Sequence, residues 1–176
     1  MKTQVARRIH ELLDGIKADF PRRKKAAEQL MRQAGIQDSL ELAISPRESV
    51  SELPTFDRKI SRQLSPMLKA RFDYAGSWRM GQEIWLSATE MPSYLKRRAV
   101  RQCHRALRDQ WEGSAPMVFS DRCLSLFGVT EYVPEDLVYL AWREKEREPE
   151  VWVSEGMESH NFANLEEYLR WRLEAK

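Results

Sequence analysis

Cysteine, histidine and glycine are scarce in this 176-residue sequence, and long apolar runs are missing. The two cysteines, Cys103 and Cys123, form no CxxC pair. That excludes a disulfide-stapled scaffold and the usual cysteine-rich zinc sites, and it points to two apolar-flanked thiols in a reducing compartment. Nothing in their placement requires a bridge between them. The three histidines, His10, His104 and His160, lie in no metal-ligand spacing. Seven glycines, spread singly, build no phosphate loop. No G-x-S-x-G is present. Cys103 and His104 are neighbours, but adjacent residues of a helix point about 100° apart and make no ready dyad. Glu144, Glu146, Glu148 and Glu150 alternate with Lys145 and Arg147 around Pro149, the pattern of a solvated turn rather than of an acid/base pair. These absences lead to the expectation of a protein that is not an enzyme and carries no cofactor and no metal. No run of roughly 18 apolar residues occurs, so no membrane span is expected. The first residues form a charged amphipathic stretch in place of a signal-peptide core, which predicts a cytoplasmic protein.

What is present describes a folded chain with a heavily charged surface. Hydrophobic residues make up 42% and charged residues 32%, enough apolar side chains for one real core. The expected organisation is a single domain over 1–176, with residues 1–44 as a helical-hairpin extension and residues 55–176 as an α+β body. The net charge of +2 conceals an asymmetry. Residues 1–111 hold 22 Lys and Arg against 13 Asp and Glu, whereas residues 112–176 hold 7 against 14. Such a split suits two faces with different partners, or a basic part docked on an acidic part.

Periodicity sets the expected elements. Val5, Ile9, Leu12, Leu13, Ile16 and Phe20 share one face of a helix over 3–20, weakened by Gly15. A second helix is expected from Pro21 to Ala34, closed by Gly35, so that the two make an αα-hairpin. Leu40, Leu42 and Ile44 alternate as a short strand. Residues 45–54 read as a loop and the best candidate linker. Thr55 is placed to cap a helix from Phe56, with Ile60, Leu64 and Leu68 inward and a kink at Pro66. Trp78, Met80, Ile84 and Leu86 around Gly81-Gln82 predict a β-hairpin. Pro92 opens a helix over 92–111 with Leu95, Ala99, Cys103, Ala106 and Leu107 buried. Beyond it, short aromatic and β-branched runs at 117–119, 124–127, 138–142 and 151–153 predict a small antiparallel or mixed sheet. A last helix is capped by Asn164 with Glu167 in the capping-box position. The fold class is therefore α+β: an N-terminal helical part, then a sheet flanked by helices.

The 92–111 helix carries the most distinctive pattern. Arg97, Arg98, Arg101, Arg105 and Arg108, with Lys96 and His104, give it one sign of charge opposite the apolar stripe, and only Asp109 offsets them. Such a stripe suits phosphates, an acidic protein surface, or a merely solvated face. A second cluster, Arg22, Arg23, Lys24 and Lys25, falls at the start of the expected second helix, where it opposes the helix dipole and hints at an external anionic partner. Six tryptophans offer either base-stacking platforms, interface anchors or core.

The ending Asn161-Phe162-Ala163-Asn164-Leu165-Glu166-Glu167-Tyr168-Leu169, after strands at 138–142 and 149–153, resembles the end of SUKH-superfamily proteins. The resemblance covers about 60 residues. It implies an α+β fold with a flanked sheet, and a role in binding a protein partner, commonly as an immunity protein that neutralises a toxin such as a nuclease or deaminase. The expected function is thus a protein-binding module of immunity or antitoxin type. The alternative is a nucleic-acid-binding accessory protein using the basic helix.

Overall fold

A computed structural model describes residues 3–35, 40–130, 136–155 and 158–174. Nine strands and six α-helices are assigned among them. The order is α1 (Gln4–Gln33), β1 (Leu42–Ile44), β2 (Glu52–Pro54), β3 (Ser61–Gln63), α2 (Pro66–Tyr74), β4 (Trp78–Met80), β5 (Glu83–Trp85), α3 (Met91–Tyr94), α4 (Arg98–Gln110), α5 (Ala115–Val118), β6 (Leu124–Thr130), β7 (Leu137–Ala141), β8 (Glu150–Glu155), β9 (Glu158–Phe162) and α6 (Leu165–Glu174). The class is α+β, as the sequence predicts.

Seven strands form one sheet in the order β1-β4-β5-β6-β7-β8-β9, and every pair is antiparallel. Strand alternation separates its two faces. Val151 lies opposite Phe162 in the register, and Phe162 meets Tyr168 of α6. Tyr139 lies opposite Trp152, whose ring meets Phe119 just beyond α5. Helix α6, joined by α1 and α2, thus covers one face, while α4 and α5 cover the other. Both faces are dry along the centre, which is why six consecutive residues of β6, Leu124–Val129, are all buried.

The expected αα-hairpin is corrected: α1 is one helix of 30 residues that runs through Pro21. A proline inside a helix removes a hydrogen bond and crowds the preceding turn, at about 3 kcal/mol. Contacts on both sides of the proline hold the helix together. Asp19 accepts from Arg22 and Arg23, and Arg23 also donates to the last carbonyls of α6, Arg172 and Leu173. Ile9, Leu13 and Ile16 are buried in the common core, so residues 1–44 are no appendage. At Gly15 an added Cβ would come 3.2 Å from the Leu173 side chain, so this glycine lets α1 and α6 approach closely. Gly35 closes the helix with φ +75°, as predicted.

Other segments differ as well. The predicted linker 45–54 is tied down. Glu48 N–H donates to the Phe72 carbonyl, and the Glu48 carboxylate accepts from the backbone N–H groups of Ala88 and Thr89. Thr55 caps no helix. Its N–H and hydroxyl both reach the Ile60 carbonyl and close a β2–β3 hairpin, so the helix begins only at Pro66, with Ser65 as its cap. Residues 117–119 are not a strand: Ala115–Val118 is a short helix. A further strand, β9, precedes the last helix, where the sequence pattern predicts none. The short first strand, the Gly81 hairpin and the capped last helix are where the pattern places them, with Asn164 Oδ1 accepting from Glu167 N–H at 3.1 Å.

Candidate functional site

The helix expected over 92–111 is two helices. Arg97 takes an extended backbone with ψ 132° between α3 and α4. That break turns α4 relative to the uninterrupted pattern. Val100, His104 and Leu107 become its buried residues, whereas Ala99 and Ala106 are exposed and Cys103 is half-buried. The inward face has moved by one residue, about 100° of helix. His104, read as part of the basic stripe, is therefore a core residue.

The rest of that stripe divides. Arg97, Arg98, Arg101 and Arg105 are exposed. Arg97 stacks its guanidinium on Tyr94, 3.5 Å from the ring centroid. Arg98, Arg101 and Arg105 have no acidic partner among the described residues. Arg108 is fixed: it donates to the Pro116 carbonyl at 2.9 Å and to Asp121 Oδ1 at 2.5 Å. The first turn of α4 holds no acidic residue, and Arg97 offers no side-chain cap. Two arginines at a helix N-terminus oppose the dipole and intensify the local positive potential.

The second predicted cluster behaves differently. Arg22, Arg23, Lys24 and Lys25 lie in the middle of α1, not at a helix start, so the dipole misfit expected there does not exist. Arg22 and Arg23 pair with Asp19, and Lys24 lies 3.6 Å from Glu28. Those two arginines hold the Asp19 carboxyl well below its ordinary range. Arg23 also caps α6, where a cation favours the helix C-terminus. This cluster is largely structural, and Arg22 and Lys25 are its exposed members.

Beneath α4 lies an arrangement with no signature in the sequence. The turn of the β2–β3 hairpin brings Phe56 onto His104, stacked at 3.9 Å between centroids. His104 Nε2 faces Asp121 Oδ1 at 2.9 Å, and Nδ1 faces the Tyr139 hydroxyl at 3.2 Å. An ionised carboxylate only accepts, so Nε2 carries the proton and Nδ1 accepts from Tyr139. Both ring nitrogens are thereby spent on the fold. Burial lowers the His104 pKa from 6.5, against the opposing pull of Asp121 and together with the Arg108 charge. Asp121 is also lowered, from 3.8: burial opposes ionisation, but the His104 and Arg108 hydrogen bonds prevail.

Acid sensitivity follows from these directions. Above pH 6.5 His104 is neutral folded and unfolded alike. As pH falls below 6.5 the unfolded chain takes up the imidazole proton first, so stability declines towards the lower folded pKa. Asp121 adds a second decline as pH falls through 3.8. Urea midpoints at pH 7.5 and 5.5 should differ in the wild type and converge in His104→Gln. An unchanged pH dependence in that variant would refute the assignment.

Helix α5 packs against α4, and its Met117 and Val118 are 45% and 51% exposed. The tryptophans contribute nothing comparable. Trp78, Trp85 and Trp142 are buried, and Trp111, Trp152 and Trp171 are half-buried, which removes the base-stacking platforms considered from the sequence. Among the described residues no group of His, Cys, Asp and Glu could hold a metal ion, and no helix is long and apolar enough to cross a membrane. Neither cysteine forms a disulfide, and both are half-buried. No family model, curated protein or solved structure matches this chain. Fold and surface alone define its class: an α+β protein with a broad antiparallel sheet and an arginine-rich helix on one side.

Proposed function

We propose that this chain is a non-catalytic protein-binding module, of the immunity or antitoxin kind, which neutralises an acidic-faced partner by seating it on the α4–α5 surface. The observation that carries this reading is the composition of that surface. Arg98, Arg101 and Arg105 are exposed on α4, and Met117 and Val118 are exposed on α5, the helix packed against it. Arginine and methionine are enriched in protein interfaces, where an apolar anchor beside guanidiniums supplies both affinity and steering. A second reading, a nucleic-acid-binding accessory protein, draws on the same arginines. Among the described residues it lacks the exposed aromatic rings on which bases stack. The immunity reading draws further support from the resemblance of the C-terminal third to SUKH proteins.

The test is affinity capture of the tagged chain from its own host, nuclease-treated, with mass spectrometry of whatever remains. A single stoichiometric partner with an acidic surface is expected. The triple variant Arg98→Glu, Arg101→Glu, Arg105→Glu should fold normally and bind that partner at least about thirtyfold more weakly, as expected for hot-spot arginines. Nucleic acid before treatment with no protein after it would overturn the proposal in favour of the second reading.

A further inference from the structure

The turn of the β2–β3 hairpin and α4 enclose a cleft of about 210 Å³. Four arginines line it: Arg58 from the turn, and Arg101, Arg105 and Arg108 from α4. Against them stands one carboxylate, Asp121, whose Oδ1 is already occupied by His104 and Arg108. The cleft therefore keeps a surplus of three positive charges. Its floor is the Phe56–His104 stack, and burial holds the imidazole neutral. A floor without charge next to several guanidiniums raises the local field and favours a compact anion.

Two details suit a ligand rather than a solvated patch. Arg108 is oriented before anything binds. Its Nε and Nη2 are committed to Pro116, Phe119 and Asp121, and its Nη1 has no partner among the described residues. Arg58 adopts φ 60°, and it is the non-glycine residue with positive φ among the described residues. An arginine gains nothing intrinsic from that conformation, which asparagine or glycine fills more easily. Its side chain makes no ion pair with any described residue. The turn thus spends an unfavourable backbone conformation on a guanidinium that faces the α4 arginines across the cleft.

A single carboxylate would leave most of this charge unbalanced. A phosphate monoester brings nearly two negative charges and three acceptor oxygens, which planar guanidiniums meet in pairs. We propose that this cleft binds the phosphate group of a small phosphate monoester, with Arg58, Arg101 and Arg105 closing on its oxygens and Arg108 presenting a pre-oriented Nη1. This site shares Arg101 and Arg105 with the proposed partner-binding surface, whereas Arg58 and Arg108 belong to the recess between hairpin and helix alone.

Calorimetry with the full chain, using inorganic phosphate and then a nucleoside 5′-monophosphate, tests it. Saturable binding with one site per chain is expected, competed by neither chloride nor acetate at equal ionic strength. Arg101→Gln, and separately Arg58→Gly, which also relieves the backbone, should each weaken binding about tenfold or more, the loss of one charge-assisted contact of about 1.4 kcal/mol. Arg22→Gln, on α1, should leave it unchanged. Absence of saturable binding, equal loss in Arg22→Gln, or equally tight binding of an oligonucleotide lacking terminal phosphate would each overturn the proposal. Partner capture by Arg58→Gly reports separately on the outer surface, so the two readings fail independently.

Discussion

Replacing Arg71 by methionine should cost the protein about 3 kcal/mol of stability, the consequence of orphaning two buried carbonyls at about 1–3 kcal/mol each, less the desolvation that the charge no longer suffers. Arg71 is 1% exposed, in the last turn of α2. Its Nη1 donates to the carbonyls of Ala75, at 2.7 Å, and Gly76, and Nη2 lies 3.4 Å from the Trp85 carbonyl. Those carbonyls belong to the link from α2 to β4 and to β5, so one guanidinium joins a helix end to the sheet. The cation also lies 4.5 Å from the centroid of the Phe72 ring and 5.5 Å from that of Phe127. No carboxylate among the described residues touches it. Burial pushes its pKa down to about 9, with Glu48 and Glu90 pulling the other way from a distance, so it remains charged at neutral pH. A lysine cannot serve as a substitute, because one ammonium does not reach three carbonyls in the plane a guanidinium spans. Both Arg71→Met and Arg71→Lys should therefore shift the urea midpoint strongly. A loss under about 1 kcal/mol in Arg71→Met would mean that the carbonyls find other donors.

Tyr168→Ala should be as damaging, at about 3–5 kcal/mol, the range for emptying a large aromatic site. Tyr168 is the point at which α6 enters the sheet. Its ring lies 5.8 Å from that of Trp85, 6.3 Å from Phe127, 5.6 Å from Phe162 and 6.1 Å from Trp171. Its hydroxyl accepts from Trp85 Nε1 at 3.1 Å, and burial pushes its pKa far up, so it is never a phenolate. Tyr168→Phe isolates the hydroxyl. Trp85 Nε1 keeps Glu83 Oε1 at 2.9 Å, so this variant should lose about 1 kcal/mol or less. Near-ultraviolet circular dichroism should collapse in Tyr168→Ala and persist in Tyr168→Phe. Equal destabilisation of the two would show that the hydroxyl, not the ring, anchors α6.

The last helix and the Gly81 hairpin were legible because their signals are local. Asn164 with Glu167, and a glycine between two alternating runs, act through backbone groups a few residues away. The α4 stripe was legible as composition but misplaced in orientation. Nothing in the order of residues 92–111 announces that Arg97 leaves the helix, and that single extended residue replaced Ala99, Cys103 and Ala106 by Val100 and His104 beside Leu107 on the inward face. The Arg22–Lys25 cluster failed for the opposite reason. Pro21 is a strong local signal for a helix boundary, and contacts to α6, remote in sequence, overrode it.

Arg58, Asp121 and Phe56 carried no signal at all. A positive φ at an arginine, and an aspartate that meets a histidine 17 residues earlier, exist only once the hairpin lies against α4. Class, charge, and the identity of most strands and of the final helix followed from pattern and capping, because periodicity and side-chain-to-backbone hydrogen bonds act within a turn or two. Packing alone decided which face of α4 turns inward, that α1 runs unbroken, and which arginines stay unpaired. Those outcomes depend on free energies of burial and pairing between segments far apart in the chain, and a local pattern holds no record of them.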